Sequence, residues 1–503
     1  MSSKRSRERN EDAETEPKLK KAFSDPRQNV HESKRAAEQS QYADSGVNLT
    51  YAVGCTEEEN YDTVTLKDII GDENLQELYQ FNFTVDLHYL MENLDENVKT
   101  RAKIMVIHGM KESIPIIEAT ALMYPNVEIY SPKMMDRWGV HHSKCMILFC
   151  QKNSIRYARI AVVTANICYA DWNKMCQATY RTPVLPLKSE NTEAGELIGS
   201  EHGSPFECDF ISYFRAYNMK VTNDLCEKLR LYDFTKCKAV IIASVPGYHQ
   251  GRDVEKWGLK RLQHILTKKV DIVPECQKQS IILTQSSSVG KFTEKWYTEQ
   301  FAVCMRGCRN PLSCSIPQVK FIYPTIEEVC ESVTGLESAG FLRMDSATYE
   351  KLHSWFPSYL CKWEGKVGGR QKIMPHYKSY TRLRANPQTK VDATGKEVEA
   401  RASIAWHLVT SANLSRAAWG DLQKNGTQLH IRHYELGILL YPDLWEEQET
   451  HILAANHQNP MPKPPDFVPF KEGNIIVPIR IPYGIPPRNY TSSDHCWTTA
   501  FVE

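Results

Sequence analysis

The sequence predicts an α/β fold made of two similar α/β domains around one shared central site. Two observations favour this fold. Short apolar runs, typical of buried strands, alternate with helical segments, and one arrangement of polar residues occurs twice. Each copy has a strand, a His-x-Lys pair, a second apolar strand and an Ala-Asn pair. We therefore expect one pair of related units and not a long array of repeats.

The N-terminal segment, residues 1–59, is predicted to be a disordered, charged tail. Its first 45 residues are polar and carry few large apolar side chains, so they cannot bury enough surface to fold alone. The tail contains the basic runs SKRSR (3–7) and KLKK (18–21). These runs indicate either a nuclear localisation signal, a nucleic-acid tether or simply a solvated charged segment. We expect the protein in the nucleus, with the cytoplasm as an alternative location.

The first domain is expected to span residues 60–233 and the second residues 234–503. Apolar runs predict strands in the first domain at 102–109, 127–134, 143–151 and 157–166. The same signal predicts strands in the second domain at 238–247, 279–288, 401–413 and 434–442, with a helix at 257–268. The polar stretch 381–402 is predicted to be a loop, and the proline-rich stretch 459–470 a surface connection.

The composition limits the possible function. Lys+Arg and Asp+Glu both number 61, so a protein that coats nucleic acid through bulk charge is excluded, while a local basic groove remains possible. No stretch has the roughly 18 apolar residues of a membrane span, and no signal peptide is visible. The 15 cysteines favour free thiols in a reducing compartment. Cys304, Cys308 and Cys314 could form a zinc site, but they lack C-x-x-C pairs, so unliganded cysteines are preferred.

The duplicated motif predicts a site for phosphodiester chemistry. His142 and Lys144 stand two apart, as do His376 and Lys378, and residues two apart in a strand face the same side. Asn166 and Asn413 end the strands that follow. Two ammonium groups and two amides would neutralise a phosphodiester and stabilise its pentacoordinate transition state. We expect neither a metal nor a cofactor, because no acidic metal-binding cluster accompanies these residues.

The two histidines can divide the chemical work. A neutral imidazole is a competent nucleophile, and with an ordinary pKa near 6.5 the ring is mostly neutral at pH 7. The second, protonated, histidine can give a proton to the leaving oxygen and later take one from water. A single His-x-Lys pair would more often be a surface feature, but two copies, each followed by an apolar strand and Ala-Asn, favour a site.

These residues resemble the phospholipase D superfamily and, within it, the tyrosyl-DNA phosphodiesterase family. The superfamily places an Asp five residues after each Lys, whereas this chain has Phe149 and Leu383, an absence typical of that family. The resemblance covers roughly residues 60–503 and is carried by long segments: HHSKCMILF, NICYADW, MPHYKSY, LVTSANLSRAAWGDLQKNGTQLHIRHYELG and IPYGIPPRNYTSSDHCW. It implies two phospholipase D-like domains and hydrolysis of a DNA 3′-phosphotyrosyl bond through a covalent phosphohistidine.

The resemblance also implies a role for each site residue. His142 resembles the nucleophile and His376 the general acid and base. The phosphate ligands are Lys144, Lys378, Asn166 and Asn413. Glu435 resembles the carboxylate that orients the nucleophile, and Gln177 the partner of His376, although Gln177 could be an ordinary surface residue. The implied DNA contacts and their neighbours are Trp138, Ser287, Ser288 and Ser411.

Two of these positions have alternatives. Trp138 stands where the family stacks an aromatic ring on a DNA base, but it could be a core tryptophan. Lys291 departs from the small residue usual after the serines.

We expect a monomer that acts on single- or double-stranded DNA with a topoisomerase-derived peptide, away from membranes. The alternatives are a phosphodiesterase of another substrate and an inactive DNA-binding relative.

Overall fold

The computed structural model describes residues 41–111, 113–188, 203–272, 280–309, 317–385, 390–391, 397–398, 402–445, 449–464 and 470–501. The basic runs of the predicted tail and Cys314 lie outside these residues. Residues 43–503 form one compact unit. No helix among the described residues is long and apolar enough to cross a membrane.

A mixed sheet of nine strands forms the first half of this unit. In spatial order, its main path is Thr63–Val64, Val47–Thr50, Ala178–Arg181, Ile155–Val163, Cys145–Lys152, Leu75–Asn82, Lys103–His108 and Val127–Tyr130, while Leu185–Pro186 pairs with Ile155–Val163. The three strands from Leu75–Asn82 to Val127–Tyr130 are parallel, and their neighbours toward Ala178–Arg181 are antiparallel. Helices Leu66–Ile70, Leu87–Glu92 and Ile114–Ala121 connect them.

The second half repeats this arrangement. Its main path is Val240–Ser244, Glu435–Leu440, Ser403–Thr410, Ser379–Leu383, Ile281–Gln285, Gln318–Ile322 and Leu360–Cys361, with Thr450–Ala455 and Ile475–Arg480 attached at Ser403–Thr410. The strands from Ile281–Gln285 to Leu360–Cys361 are parallel and the others on the main path antiparallel. Seven strands therefore match the first sheet in order and direction, which confirms the predicted duplication.

Shorter elements complete the fold. The remaining strands are Met175–Cys176 with Met374–Pro375, Gly247–Gln250 with Asp421–Gln423 and Gln428–Ile431, and Lys390–Val391 with Glu397–Val398. The other α-helices are Tyr169–Asn173, Pro205–Arg215, Lys220–Leu229, Gly258–Lys269, Ala302–Met305, Ile326–Cys330, Ser346–Leu352 and Arg416–Trp419. The 3₁₀ segments are Gly251–Glu255, Gly335–Gly340, Phe356–Tyr359, Lys424–Gly426, Pro442–Leu444 and Thr499–Phe501, and Trp296–Phe301 is a π-helix.

Sequence signals explain why several helices begin where they do. Thr65 and Asp68 form a capping box at the helix Leu66–Ile70, and Thr325 and Glu328 form another at Ile326–Cys330. The hydroxyl of Ser204 caps Pro205–Arg215, where a proline at the first helical position needs no hydrogen-bond partner for its nitrogen. These caps give the helices fixed starting points.

One hydrophobic core is shared by both sheets. The alternation of side chains along a strand sends Phe81 and Ile147 to one face of the first sheet, where they join Phe210 and the second-sheet residues Tyr380 and Leu408 in the same buried cluster. The opposite face, including Leu78 and Met146, forms a separate cluster under the connecting helices. The repeated halves are thus packed together by apolar surface, which holds the site between them.

Three predictions from the sequence are wrong in part. Val47–Thr50, inside the predicted disordered tail, is a fully buried strand of the first sheet. Ser379–Leu383 is a central strand, whereas the sequence predicts a loop from Thr381 onward, because polar side chains there are buried against both neighbouring strands. Cys308 is disulfide-bonded and therefore neither a free thiol nor a zinc ligand, whereas Cys304 is a buried free thiol.

Candidate active site

The two His-x-Lys pairs lie where matching strands of the two sheets begin. Lys144 directly precedes Cys145–Lys152, which begins two residues later than the predicted strand 143–151, and Lys378 directly precedes Ser379–Leu383, where the sequence predicts no strand. Each lysine donates its Nζ–H to the carbonyl oxygen of the histidine two residues before it. This bond folds each His-x-Lys segment in the same way, so the two copies have the same local geometry.

Each histidine is held by the opposite half of the molecule. The backbone N–H of His142 donates to the carbonyl of Tyr434 at 3.0 Å, and that of His376 donates to the carbonyl of Cys176 at 3.0 Å. The residue after each carbonyl, Glu435 or Gln177, contacts the histidine ring. Each half therefore holds the histidine of the other half, an arrangement called reciprocal bracing below. Both histidines are fixed by hydrogen bonds at the backbone and at the ring.

The His142 ring is oriented by a carboxylate. Its Nδ1 lies 2.9 Å from Oε2 of Glu435. The same carboxylate oxygen accepts a hydrogen bond from the hydroxyl of Ser411, and the other oxygen lies 3.5 Å from Nδ1 of His433. With Nδ1–H donated to Glu435, the lone pair of Nε2 stays available on the other side of the ring. Ser411 therefore supports Glu435.

The His376 ring has two partners instead of one. Gln177 Nε2 donates to Nδ1 of the neutral ring at 2.8 Å, while Asp171 Oδ2 lies 3.2 Å from the same nitrogen. Gln177 also donates to Asp171 and accepts from Thr164, so its amide is fixed. A neutral ring can accept from Gln177, and a protonated ring can donate to Asp171. The surroundings of His376 therefore accommodate both protonation states.

The two asparagines stand beside the pairs. Asn413 Oδ1 accepts from Ser288 N at 3.0 Å and from Ser287 Oγ at 3.3 Å. Asn166 Oδ1 accepts from Thr84 N at 3.4 Å, and its backbone N–H donates to Asp171 at 2.6 Å. Because the carbonyl ends of both amides are occupied, their NH₂ groups remain as donors for an anion. Ser287 and Ser288 thus position Asn413.

Burial controls the protonation of the histidines. It lowers the pKa of His142 to about 4, although Glu435 acts in the opposite direction. Burial, together with the charge of Lys378, lowers the pKa of His376 to about 4. Burial would raise the pKa of Glu435 and of Asp171, but the contacts of Glu435 with His142 and His433, and of Asp171 with His376, lower both below their usual range. Neutral imidazoles therefore lie beside ionised carboxylates.

The two lysines make the site selective for an anion. Burial lowers the pKa of Lys144 to about 8, with Glu435 acting in the opposite direction. Burial and the charge of Lys144 hold the pKa of Lys378 well below its usual range. Two buried ammonium groups near one another are costly until an anion neutralises them. A phosphodiester would supply that charge, so the lysines fit its non-bridging oxygens.

Trp138 lies at the surface and not in the core. Its side chain is 60% exposed, which excludes the core alternative, and the guanidinium of Arg137 stacks 4.6 Å from its ring centre. Lys291, the residue that departs from the family pattern, is also exposed. The positions that carry an acid elsewhere in the superfamily, Phe149 and Leu383, are buried in the shared core.

Two contacts were missed by the sequence reasoning. Asp171 lies in the quoted segment NICYADW, but its counterpart five residues after Asn413 is Ala418, so comparing the two copies gave no signal for it. Phe83 lies 5.5 Å from the His142 ring and 5.8 Å from the Lys144 ammonium, and it belongs to no repeated motif. Among the described residues, no group of three or more His, Cys, Asp or Glu side chains could hold a metal ion.

Comparisons with known proteins identify a family. The family model described as tyrosyl-DNA phosphodiesterase matches residues 47–491. A probable tyrosyl-DNA phosphodiesterase of Schizosaccharomyces pombe is 30% identical over 90% of this chain and 93% of its own length. Tyrosyl-DNA phosphodiesterase 1 of Arabidopsis thaliana is 28% identical over 87% of this chain and 71% of its own.

A solved structure shares the fold. The crystal structure of the yeast tyrosyl-DNA phosphodiesterase superimposes with a TM-score of 0.62 and 20% identity, covering 90% of this chain and 98% of that one. At this identity the likeness concerns the fold, and it agrees with the duplicated mixed sheets described above. With a family model that matches most of its length, the chain belongs to the tyrosyl-DNA phosphodiesterase family.

Proposed function

We propose that this protein hydrolyses the bond between a DNA 3′-phosphate and a topoisomerase tyrosine, and related 3′ adducts, through a covalent phosphohistidine. The observation that carries the proposal is the pair of His-x-Lys segments with unequal ring partners: a carboxylate on His142, and an amide with a carboxylate on His376. Membership of a DNA-repair phosphodiesterase family supports the reaction class.

In the first step His142 attacks phosphorus. The Nδ1–H of His142 stays hydrogen-bonded to Glu435. Its Nε2 forms the bond to phosphorus, and the bond from phosphorus to the tyrosine oxygen breaks. Protonated His376 gives its Nε2 proton to that oxygen, while Asp171 stabilises the imidazolium. The bound phosphodiester is itself an anion, which favours the protonated form of His376 in the complex.

In the second step water releases the DNA. The now neutral His376 accepts a proton from water at Nε2, the resulting hydroxide attacks phosphorus, and the bond to His142 breaks. The products are a DNA 3′-phosphate and the free enzyme. Lys144, Lys378, Asn166 and Asn413 hold the non-bridging oxygens in both steps, and their charge and N–H groups stabilise each pentacoordinate transition state.

The same residues support independence from metal ions. The positive charge that a divalent cation would supply is provided here by two ammonium groups, and attack by an imidazole needs no metal-activated water. The proposal further includes action as a monomer on single- or double-stranded DNA ends that carry a tyrosyl peptide, in the nucleus. Trp138 would stack on a base near the scissile phosphate.

The test is turnover of an oligonucleotide that bears a 3′-phosphotyrosine, with excess EDTA present. We expect release of tyrosine and an oligonucleotide ending in 3′-phosphate, with a rate unchanged by the chelator. Complete loss of turnover in EDTA that Mg²⁺ or Zn²⁺ restores would reject the mechanism. The Lys144→Ala and Lys378→Ala variants serve as controls. Each removes one of the two ammonium groups that supply positive charge in place of a divalent cation.

A further inference from the structure

A second aromatic surface lies on the three-stranded sheet formed by Gly247–Gln250, Asp421–Gln423 and Gln428–Ile431. Tyr248 and His430 are directly opposite each other in register, and their rings stack with centres 4.3 Å apart and planes 12° apart. Tyr248 remains 56% exposed, so one face of its ring is open to solvent while the ring of His430 packs against the other face. A supported, exposed aromatic ring is suited to stacking on a planar ligand.

This surface is tied to the loop that carries Trp138. Arg432, two residues after His430, places its Nε 3.6 Å from Oδ2 of Asp136. The other oxygen of Asp136 accepts the backbone N–H groups of Trp138 and Gly139, both at 2.8 Å. This ion pair therefore links the loop of Trp138 to the end of the strand that carries His430, and the guanidinium of Arg137 lies beside Trp138.

The segments that carry Trp138 and Arg432 lead to the nucleophile His142 and to its partner Glu435, and they pair there, since the Tyr434 N–H donates to the Val140 carbonyl. Trp138 precedes His142 by four residues, and Arg432 precedes Glu435 by three. In an in-line displacement the leaving group departs opposite the attacking atom, so the tyrosyl peptide lies toward His376. The surface around Tyr248 therefore lies away from the peptide. Arg432, two residues after His430, is a cation on this surface that can contact a phosphate.

We propose that Tyr248, supported by His430, is a second stacking platform for a nucleobase of the DNA strand attached to the scissile phosphate. The platform rests on the proposed function, because its ligand is the DNA portion of that substrate. Trp138 stacks on the base nearer the phosphorus, and Tyr248 stacks on a base further along the strand. Stacking on aromatic faces tolerates any base, as an enzyme that acts on DNA ends of any sequence requires.

The first test measures binding without catalysis. A fluorescein-labelled single-stranded oligonucleotide ending in 3′-phosphate is titrated with the full chain at fixed salt, and anisotropy gives the Kd. Tyr248→Ala should weaken binding about fivefold or more, because one stacking contact is lost. Tyr248→Phe and Tyr248→Trp should bind like the unmodified protein. Tyr61→Ala is the matched control, since Tyr61 is similarly exposed, at 54%, on a different segment.

The second test separates a DNA platform from a purely structural pair. For a 3′-phosphotyrosyl oligonucleotide, Tyr248→Ala should raise KM and leave kcat unchanged, while turnover of thymidine 3′-(4-nitrophenyl phosphate) stays the same because that substrate has one base. A lower melting temperature with equal losses on both substrates would instead make Tyr248 and His430 a cross-strand pair that stabilises the sheet, and would overturn the platform.

Two further outcomes are informative. A KM increase that appears only when the peptide portion is lengthened would assign the surface to the peptide and also overturn the platform. If the unmodified protein hydrolyses neither substrate, the proposed function fails. The anisotropy titration still decides whether Tyr248 contacts DNA, because it requires binding alone.

Discussion

His142 and His376 have equivalent backbone contacts but different side-chain partners. Each donates its backbone N–H to a carbonyl of the opposite half, and each has a lysine bonded to its own carbonyl. The rings differ: Glu435 keeps Nδ1–H of His142 in place, whereas Gln177 and Asp171 allow His376 to gain and lose a proton. These side-chain contacts support His142 as the nucleophile and His376 as the acid and base.

Substitution of each histidine should block a different step. His142→Ala should abolish both tyrosine release and any covalent adduct. His376→Arg keeps a cation near the leaving oxygen, and since tyrosine has a pKa of about 10 the first step should continue slowly. Arginine stays protonated and cannot activate water, so the DNA–His142 adduct should accumulate. A denaturing gel resolves that adduct, and its appearance in a His142 variant but not in His376→Arg would reverse the assignment.

The activity should also depend on the charge of Lys144. The ammonium form holds the phosphate, it is present below its pKa of about 8, and it is lost as the pH rises through that value. We therefore expect kcat/KM on a 3′-phosphotyrosyl oligonucleotide to fall above about pH 8, by up to about tenfold per pH unit. The diester substrate does not titrate in this range. A flat profile up to about pH 10 would contradict the required charge.

The residues that could be predicted are those that the duplication repeats or the family resemblance carries. The His-x-Lys pairs and the asparagines were visible because each occurs twice, and Glu435 and Gln177 came from the resemblance. Asp171 was not visible, because its counterpart Ala418 has no carboxylate and nothing in a single sequence reveals that this Asp is fully buried beside a histidine. A contact between residues 205 positions apart, such as that of Asp171 with His376, is determined only by the packing of both halves.

At the scale of elements, apolar strands were easier to predict than polar ones. Lys103–His108 and Cys145–Lys152 are short runs of large apolar residues and lie within a residue or two of their predicted positions. Val47–Thr50 reads VNLT and Ser379–Leu383 reads SYTRL, so neither has a strong apolar signal. Both are nevertheless buried, because neighbouring strands satisfy their backbone groups and the sheet covers their polar side chains.

The strand Val47–Thr50 gives a prediction about truncation. Removing residues 1–40 should leave the melting temperature and turnover of a short oligonucleotide unchanged. Removing residues 1–58 also deletes this strand, including the fully buried Leu49, and exposes the edge of Ala178–Arg181. We expect a loss of about 3 kcal/mol or more in the free energy of unfolding, measured by urea denaturation. Equal stability of both truncated proteins would show that the strand is dispensable.

At the scale of the whole molecule, both halves contribute to one core and one site. The α/β class and the duplication were predictable from the order of apolar runs and motifs. The amount of surface shared between the sheets was not, because which apolar faces meet depends on how the sheets pack together. Phe210, which lies between the two sheets in the sequence, belongs to the same buried hydrophobic cluster as residues of both sheets.

The shared core predicts that the halves cannot act separately. Residues 43–233 and 234–503, expressed as two chains, should each be inactive, because His142 then lacks Glu435 and His376 lacks Gln177 and Asp171. Each fragment would also expose its half of the core and aggregate. Turnover and sedimentation of each fragment measure this. Full activity in either fragment alone would show that the site does not need both halves.

The reciprocal bracing has a consequence for the direction of the reaction. Two copies of one unit that each hold the other's histidine have the connectivity of a symmetric dimer joined into a single chain. In a symmetric dimer either histidine could attack, and the two orientations of a bound substrate would be equivalent. Glu435 follows one bracing carbonyl and Gln177 follows the other. In the proposed mechanism, a difference in side chains on an otherwise duplicated scaffold would thus set the polarity of attack, and with it the side of the site that receives the DNA.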